Sequence, residues 1–309
     1  MKFHCPVCSK TLNDKIKSYP VKEVFDLWAE QGVLFSSAVM DDVMSSTTEF
    51  DLYRCEECQL ESFLPLVNGS ELFYKELNQK SQYYEDDKWD FHEAIKDIKG
   101  LKKIVEIGCG PGNFLLKCKE QGLEVYGTEY NGDAANSARK KGITILSNEE
   151  LEGMAESFDA VFSFHVLEHV DDPMGFLRSM EKVVRPGGLI CVSVPNQKGP
   201  IKFIEPCVMN MPPHHLTRWS SRTFKVVCDL IGLEFIREKN EPLLLSNHSY
   251  YSLFLIDRVL KGRSFFAKKI SAIAKSLTSS FFEYLIQQRQ MTHFSFLKGM
   301  AVYVVLRKR

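Results

Sequence analysis

The chain of 309 residues carries almost no net charge, −1 from 39 basic and 40 acidic residues. The protein as a whole is therefore not an electrostatic nucleic-acid binder, since such proteins gain affinity by releasing counterions from phosphates with a surplus of Lys and Arg. No apolar run reaches the roughly 18 residues that a membrane-spanning helix needs, and no export signal opens the sequence, so neither a span nor secretion is expected. Internal repeats and low-complexity tracts are also lacking. The nine cysteines, scattered through a chain with no export signal, point to reduced thiols in a cytoplasm and not to a disulfide framework. The length allows one large core with appendages, or two domains.

The small net charge hides an asymmetry. From Glu241 onward there are eleven Lys or Arg against three acids, which leaves the first 240 residues at −9. Such a skew fits an anionic ligand or surface near the C-terminal part, or a solvated basic face with no partner.

The stretch Val105-Glu106-Ile107-Gly108-Cys109-Gly110-Pro111-Gly112-Asn113-Phe114 reads as strand, tight turn and helix. Glycines at the turn let backbone amides and a helix N-terminus approach a ligand closely. A second strand, Leu123 to Thr128, ends in Glu129, an acid placed to accept hydrogen bonds from two ribose hydroxyls. Together these make a nucleoside-binding half of a doubly wound sheet. The dinucleotide fingerprint G-x-G-x-x-G is missing, however, because the glycines fall at 108, 110 and 112 and position 113 is Asn.

The E-x-G-x-G-x-G form resembles the first motif of class I S-adenosylmethionine-dependent methyltransferases. Two later blocks are similar to the same family in order and spacing: Ser157 to Val170, a fourth strand and its exit, and Arg185-Pro186-Gly187-Gly188, a turn feeding the strand Leu189 to Val194. Between them, Asp172-Pro173 starts a helix with apolar positions Phe176, Leu177, Met180, Val183 and Val184. The resemblance implies an α/β fold, a doubly wound seven-stranded Rossmann-like sheet with its last strand antiparallel. It implies S-adenosylmethionine as cofactor, with Glu106 organising the loop near the methionine amino group. The cofactor-binding set it implies is Glu106, Gly108, Cys109, Gly110, Gly112, Phe114, Glu129, Tyr130 and His165, with Asn148 as the adenine contact.

Cys5-Pro6-Val7-Cys8 and Cys55-Glu56-Glu57-Cys58 can supply four thiolates to a tetrahedral Zn²⁺. The 46 residues between them exceed the spacing of a compact ribbon and carry their own apolar material (Val24, Phe25, Leu27, Trp28, Val33, Leu34, Phe35), so the expected ribbon holds an insertion. A redox pair is the rival reading, but such a pair opens a thioredoxin-like helix after a strand, whereas Cys5 lies almost at the terminus. Similar zinc-ribbon leaders occur on bacterial methyltransferases of sugar, antibiotic and surface-polysaccharide pathways. The segment Arg54-Cys55 to Leu64-Pro65, followed by Tyr83-Tyr84 and Trp89-Asp90-Phe91, resembles that lineage. Those aromatics form a helical linker over the cofactor mouth, or simply fill core.

Methyl transfer from a sulfonium is an in-line displacement that needs alignment and, for a protonated acceptor, a base. Two groups of residues qualify. His165, Glu168 and His169 follow the fourth strand; the Val-Leu-Glu-His-Val block resembles ubiquinone-type O-methyltransferases, where the corresponding side chains are implicated in a divalent cation site. An acid stands there in place of His165, which argues against a hard, oxygen-liganded cation here; the alternative is that Glu168 and His169 fix the loop by hydrogen bonds. Pro212-Pro213-His214-His215 forms the second group, on a loop at the carboxyl edge of the sheet where acceptors bind. By resemblance to zinc-ribbon sugar C-methyltransferases, His215 is the first candidate base and His214 the next, with His165 third.

After a sixth strand, Leu233 to Arg237, the chain delays its final strand, Met300 to Leu306. The intervening stretch has an apolar stripe, Phe266, Ile270, Ile273, Leu277, Phe281 and Leu285, opposite Lys268, Lys269 and Lys275. It reads as a lid, as a dimer contact, or as a helix lying on an anionic membrane that gives access to a lipid-linked acceptor. The expected organisation is a zinc ribbon with insertion at 1–66, a helical linker at 67–100, a methyltransferase core at 101–240 and 297–309, and a helical insertion at 241–296. The expected function is methylation, at oxygen or carbon, of a small molecule or glycan precursor by a cytoplasmic enzyme, peripheral to the membrane if its acceptor is lipid-linked. A non-catalytic cofactor-binding subunit is the competing class. An RNA methyltransferase is disfavoured by the missing basicity and by the lack of an Asn-Pro-Pro-Tyr-type motif after the fourth strand.

Overall fold

The computed structural model describes residues 2–80, 86–203, 205–244 and 293–309. The apolar stripe and lysines expected between Phe266 and Leu285, and the pair Tyr83-Tyr84, lie outside the described residues. In chain order the N-terminal part comprises β1 (Asp14–Pro20), α1 (Val21–Glu30), α2 (Ser37–Ser46), β2 (Glu49–Arg54), β3 (Glu61–Leu64), α3 (Glu71–Lys80) and α4 (Trp89–Asp97). Strands and helices then alternate: β4 (Lys103–Ile107), α5 (Asn113–Glu120), β5 (Glu124–Thr128), α6 (Gly132–Lys140), β6 (Thr144–Ile145), α7 (Asn148–Glu152), β7 (Phe158–Phe164), α8 (Pro173–Val183) and β8 (Val184–Pro195). The chain closes with β9 (Thr217–Arg218), α9 (Ser221–Ile231), β10 (Leu233–Leu244) and β11 (His293–Lys308).

Seven of the strands form one sheet in the order β10-β11-β8-β7-β4-β5-β6. Pairings from β8 through β6 are parallel, and the last strand runs antiparallel. A parallel sheet needs both faces covered, and β7 meets that need: every residue except Asp159 is buried. Phe114 on α5 packs against Phe162 and Phe164 at ring-centroid distances of 4.9 Å, and Phe91 on α4 lies 5.0 Å from Phe164. Helix starts follow capping chemistry. Asp172 caps α8 through Gly175 N–H ahead of a proline in the first turn, Ser220 caps α9 through Thr223 N–H, and Ser147 with Glu150 forms a capping box on α7.

The four residues 185–188, expected as a turn before β8, are instead a bulge inside it. Phe158 faces Val184, and the next partners are Ala160 and Leu189. Asp159 anchors this bulge: one carboxylate oxygen accepts from Lys102 and Lys103 N–H, and the other from Arg185 Nε at 2.6 Å.

A second, four-stranded sheet has the order β1-β2-β3-β9. Three strands come from the N-terminal part, and the fourth comes from a point more than 150 residues later, with Glu61 opposite Arg218 and Ser62 opposite Thr217. The insertion between the cysteine pairs folds as α1 and α2 on this sheet. Val24, Phe25, Trp28, Val39 and Val43 bury there with Phe50, Phe63, Phe73 and Met211.

The chain divides into two compact units, Met1–Val194 with Val208–Lys239 and Tyr303–Arg309, and Pro195–Cys207 with Asn240–Val302. Within the second, Asn196 Nδ2 donates to Asn240 Oδ1 and the Gly299 carbonyl, and Glu241 accepts from Met300 and Ala301 N–H. All site residues discussed below belong to the first.

Asp159 ties the start of β4 to the β8 bulge through one side chain. Asp159→Ala is expected to lower unfolding free energy by about 2–3 kcal/mol, the range for losing hydrogen bonds to a charged group, measured by chemical denaturation. A change below about 0.5 kcal/mol, the size of an ordinary surface substitution, would contradict the anchoring role.

Candidate active site

The glycine loop leaves β4 and enters α5 through three left-handed glycines, with φ of 74° at Gly108, 53° at Gly110 and 76° at Gly112. Gly108 also lacks room for a side chain, since a Cβ would stand 2.5 Å from Val166 Cγ2. The loop is pinned from below where Gly108 and Cys109 N–H donate to the Thr128 carbonyl. It is pinned from the side where Gly110 N–H donates to Glu129 Oε2 at 2.7 Å. The other Glu129 oxygen accepts from Asn131 N–H at 2.7 Å. A carboxylate has about four acceptor positions, so Glu129 keeps lone pairs for further donors while its orientation is set by two amides.

Glu106, at the end of β4, is 2% exposed, and its Oε2 has no hydrogen-bond partner. Burial holds its carboxyl well above the usual range, and the nearby Asp90 and Glu129 carboxylates add to the effect. A cationic donor group at this spot would supply what the side chain lacks. Beyond β5, Tyr130 is 89% exposed, and Asn148 Nδ2 donates to its hydroxyl, so these two candidates share one surface. The other two cofactor candidates differ. The Phe114 ring is fully buried in the aromatic core, and the Cys109 thiol is buried against Gly127. Both side chains are committed to the core and have no area left for a ligand.

His165 leaves β7 at φ 55°, a left-handed conformation uncommon outside glycine. Its Nε2 lies 3.1 Å from Asp90 Oδ2 and its Nδ1 3.3 Å from Glu168 Oε1. Burial alone would lower the imidazole pKa; the two carboxylates outweigh it and raise it to about 9. Burial likewise pushes Asp90 up, but the His165 imidazolium holds it below the usual range. With one ring nitrogen facing Asp90 and the other Glu168, His165 is held between two carboxylates as a charged anchor at neutral pH.

The other histidines form a separate group. Ring centroids of His169, His214 and His215 lie 4.4–4.7 Å apart. His169 Nδ1 is 2.6 Å from the His214 carbonyl oxygen and His215 Nδ1 3.2 Å from Asn210 Oδ1. Both partners are acceptors, so both Nδ1 atoms carry the proton and both Nε2 atoms carry the lone pair. Burial, reinforced by the neighbouring imidazoles, holds His214 and His215 well below the ordinary histidine range, so they are neutral at pH 7. Glu168 Oε1 stands 4.0 Å from His215 Nε2. The loop is tied down by Leu216 N–H to the Glu168 carbonyl and by Phe63 N–H to the Leu216 carbonyl.

At the other end of the β1-β2-β3-β9 sheet, the four sulfurs of Cys5, Cys8, Cys55 and Cys58 all lie within 4.8 Å of one another. Cys5 and Cys58 are 3.5 Å apart, and Cys8 and Cys55 3.4 Å. Sulfurs about 2.3 Å from a tetrahedral ion would be about 3.8 Å apart, so the set fits one ion with small adjustment. Both knuckles have the same form: Ser9 and Gln59 N–H donate to the carbonyls of Cys5 and Cys55, each donor sitting at positive φ. A hydrogen bond from Cys58 lowers the Cys5 thiol to about 5, while burial raises Cys8 to about 11 and the Cys5 thiolate raises Cys58. Without a cation, the Cys5 thiolate is thus tolerated while Cys8 and Cys58 resist ionisation. The second knuckle is also tied to the later chain, since Thr223 Oγ1 donates to the Cys58 carbonyl.

Sequence reasoning missed Asp90, Tyr74 and Asn210. Asp90 was visible only as the polar member of Trp89-Asp90-Phe91, and its partner lies 75 residues away. Tyr74, whose hydroxyl is 3.2 Å from His169 Nδ1, carries no sequence signal for that contact.

The strand order, the glycine loop after β4 and the acid after β5 define a class I S-adenosylmethionine-dependent methyltransferase fold. Residues 73–238 match a family model described as a methyltransferase domain, and the chain belongs to that family. Over 113 residues it is 33% identical to a ubiquinone biosynthesis O-methyltransferase of Rhizobium etli, covering 34% of this chain and 45% of that enzyme. A ubiquinone biosynthesis O-methyltransferase of Aliivibrio fischeri is 30% identical over 115 residues, covering 34% and 49%. The chain thus spans about half the length of the curated relatives it matches. Among solved structures, an S-adenosylmethionine-dependent methyltransferase from Thermotoga maritima matches at 17% identity and TM-score 0.47, covering 77% of this chain and 98% of that one. That likeness is too loose to bear on chemistry.

Because the His165 pKa is raised in the fold from 6.5 to about 9, its contribution to stability is complete below pH 6.5 and is lost as pH rises through about 9. The melting temperature should therefore fall between about pH 7 and 9.5 in part through this group. His165→Asn, which tolerates a left-handed backbone, should be less stable near pH 6.5 and show a flatter profile. Parallel profiles for the two proteins would contradict the bracketed imidazolium.

Proposed function

We propose that the protein transfers a methyl group from S-adenosylmethionine to a small-molecule or glycan-precursor acceptor, at oxygen or carbon. The observation that carries this reading is Glu129, oriented by Gly110 and Asn131 N–H beside a left-handed glycine loop. Its remaining lone pairs suit two ribose hydroxyls, the orphaned Glu106 oxygen suits an ammonium, and Tyr130 with Asn148 offers a flat polar-edged surface for adenine. The group supplies an already activated methyl; no nucleophile on the protein is required.

This chain's residues then have to bind, align and manage one proton. His165, doubly hydrogen-bonded, positions the exit of β7. The proton of the acceptor passes to a neutral imidazole on the 210–218 loop, His215 first and His214 next, with the Glu168 carboxylate stabilising the imidazolium that forms. The matched relatives are described as ubiquinone biosynthesis O-methyltransferases, which favours a small organic acceptor for this chain as well. Cys5, Cys8, Cys55 and Cys58 would hold a structural Zn²⁺ that fixes the β1-β2-β3-β9 sheet.

Two tests follow. By isothermal titration, S-adenosylhomocysteine should bind the wild type, and Glu129→Ala should weaken it about 10–100-fold, the equivalent of losing hydrogen bonds to a charged group. His215→Asn should keep that affinity yet lose methyl transfer from radiolabelled S-adenosylmethionine to phenolic or nucleotide-sugar acceptors. Undiminished affinity in Glu129→Ala would remove the donor-site assignment, and near-normal turnover in His215→Asn would remove the base. Separately, elemental analysis of purified protein should give one zinc per chain, and Cys58→Ser should lose it together with a drop in melting temperature; a metal-free, folded wild type would rule the ribbon out.

A further inference from the structure

We propose that His169, His214 and His215, with the Glu168 carboxylate, form a second metal site that takes a divalent transition ion. The arrangement differs from the one that resemblance to ubiquinone-type enzymes implies, because His165 is held between Asp90 and Glu168.

Geometry is the first support. Three imidazoles bound mutually cis to an ion, each with a metal–nitrogen bond of about 2.1 Å, have ring centroids about 4.6 Å apart. The observed separations are 4.4 Å for His214 and His215, 4.6 Å for His169 and His215, and 4.7 Å for His169 and His214. His214 and His215 are stacked at an interplanar angle of 22°, and the His169 ring lies across both, at 62° and 82°. A ligating atom from each residue lies within 4.8 Å of the others.

Tautomer control is the second support. Histidine ligands nearly always donate their other N–H to a fixed acceptor, which aims the lone pair at the metal. Here the His214 carbonyl and Asn210 Oδ1 do this for His169 and His215. The third support is Glu168. It is fully buried, its Oε1 is 4.0 Å from His215 Nε2, and its Oε2 has no hydrogen-bond partner. A buried carboxylate oxygen left unsatisfied is costly, and a cation next to Glu168 would offset that cost.

Three imidazole nitrogens with one carboxylate oxygen select a borderline ion such as Zn²⁺, Co²⁺, Fe²⁺ or Ni²⁺ over Mg²⁺ or Ca²⁺. Asp90, Glu168 and the His165 imidazolium together leave one negative charge beside the site, which a dication offsets. His169 is the partly exposed member and gives the ion its way in. An ion would take the lone pair that a base needs, so the loaded site would act on an acceptor oxygen by Lewis acidity, and the empty site by proton uptake at His215. The inference therefore stands apart from the methyl-donor reading and fails separately from it.

The test uses the full chain stripped with a chelator and titrated with Co²⁺. The cysteine set gives an intense thiolate-to-cobalt band; the histidine set gives one equivalent without it. The expected result is a thiolate-free equivalent in the wild type, absent in His169→Gln and His215→Gln, and bound about 10–100-fold more weakly in Asn210→Ala, the usual cost of losing a group that orients a ligand. S-adenosylhomocysteine binding reports whether each variant is folded. Should the histidine variants not fold, the Co²⁺-loaded wild type alone decides, because ligated imidazole N–H protons show large paramagnetic shifts in its proton NMR spectrum. No thiolate-free equivalent, one that survives both histidine variants, or no shifted imidazole protons would overturn the proposal.

Discussion

Glu168 is a carboxylate without access to solvent, and much of the site is arranged around the need to keep it there. Burying an unpaired carboxylate is expensive, and the protein offsets that cost by placing the His165 imidazolium against one oxygen. His165 is in turn held on its far side by Asp90 from α4. The Glu168 carbonyl accepts from Leu216 N–H, and the Leu216 carbonyl accepts from Phe63 N–H of β3. One residue thus joins the exit of β7, the histidine loop and the cysteine-bearing sheet. The N-terminal sheet is therefore more than an appendage to the catalytic fold: its fourth strand, β9, is the continuation of the loop that carries His214 and His215.

Charge is divided between the two ends of the site. At the glycine loop, Glu129 accepts from two backbone amides, and the buried Glu106 carboxyl feels both the Glu129 carboxylate and the Lys88 ammonium. At the histidine loop His214 and His215 are neutral, held so by burial and by the neighbouring imidazoles. The bracketed His165 lies between them, protonated.

The parallel core was legible because its signals are local. Glycine spacing, the acid 21 residues after Gly108, and helix caps such as Asp172 and Ser220 each act within a few residues of where they are written. The cysteine pairs are legible for the same reason, and the stretch between them carries the apolar side chains Phe25 and Trp28 that are buried in the N-terminal core. What sequence could not convey was pairing at long range. Nothing marks Thr217-Arg218 as a strand for a sheet begun at Asp14, nor Asp90 as the partner of His165. His165 is the instructive case: its place after β7 marks it as a candidate base, and its two carboxylate neighbours, Asp90 and Glu168, are contacts that no local signal announces. Phe114 and Cys109 show the opposite limit, since a motif position does not say whether its side chain or its backbone meets the ligand.

The central claim is that the loop between β4 and α5, with Glu129, binds the methyl donor so that its sulfur faces the histidine loop. A crystal structure with S-adenosylhomocysteine tests this most directly. The account predicts ribose hydroxyls on Glu129, the amino group beside Glu106, and the sulfur directed at the 165–169 and 210–218 segments. A nucleoside bound away from Glu129, or a sulfur directed away from those segments, would contradict it.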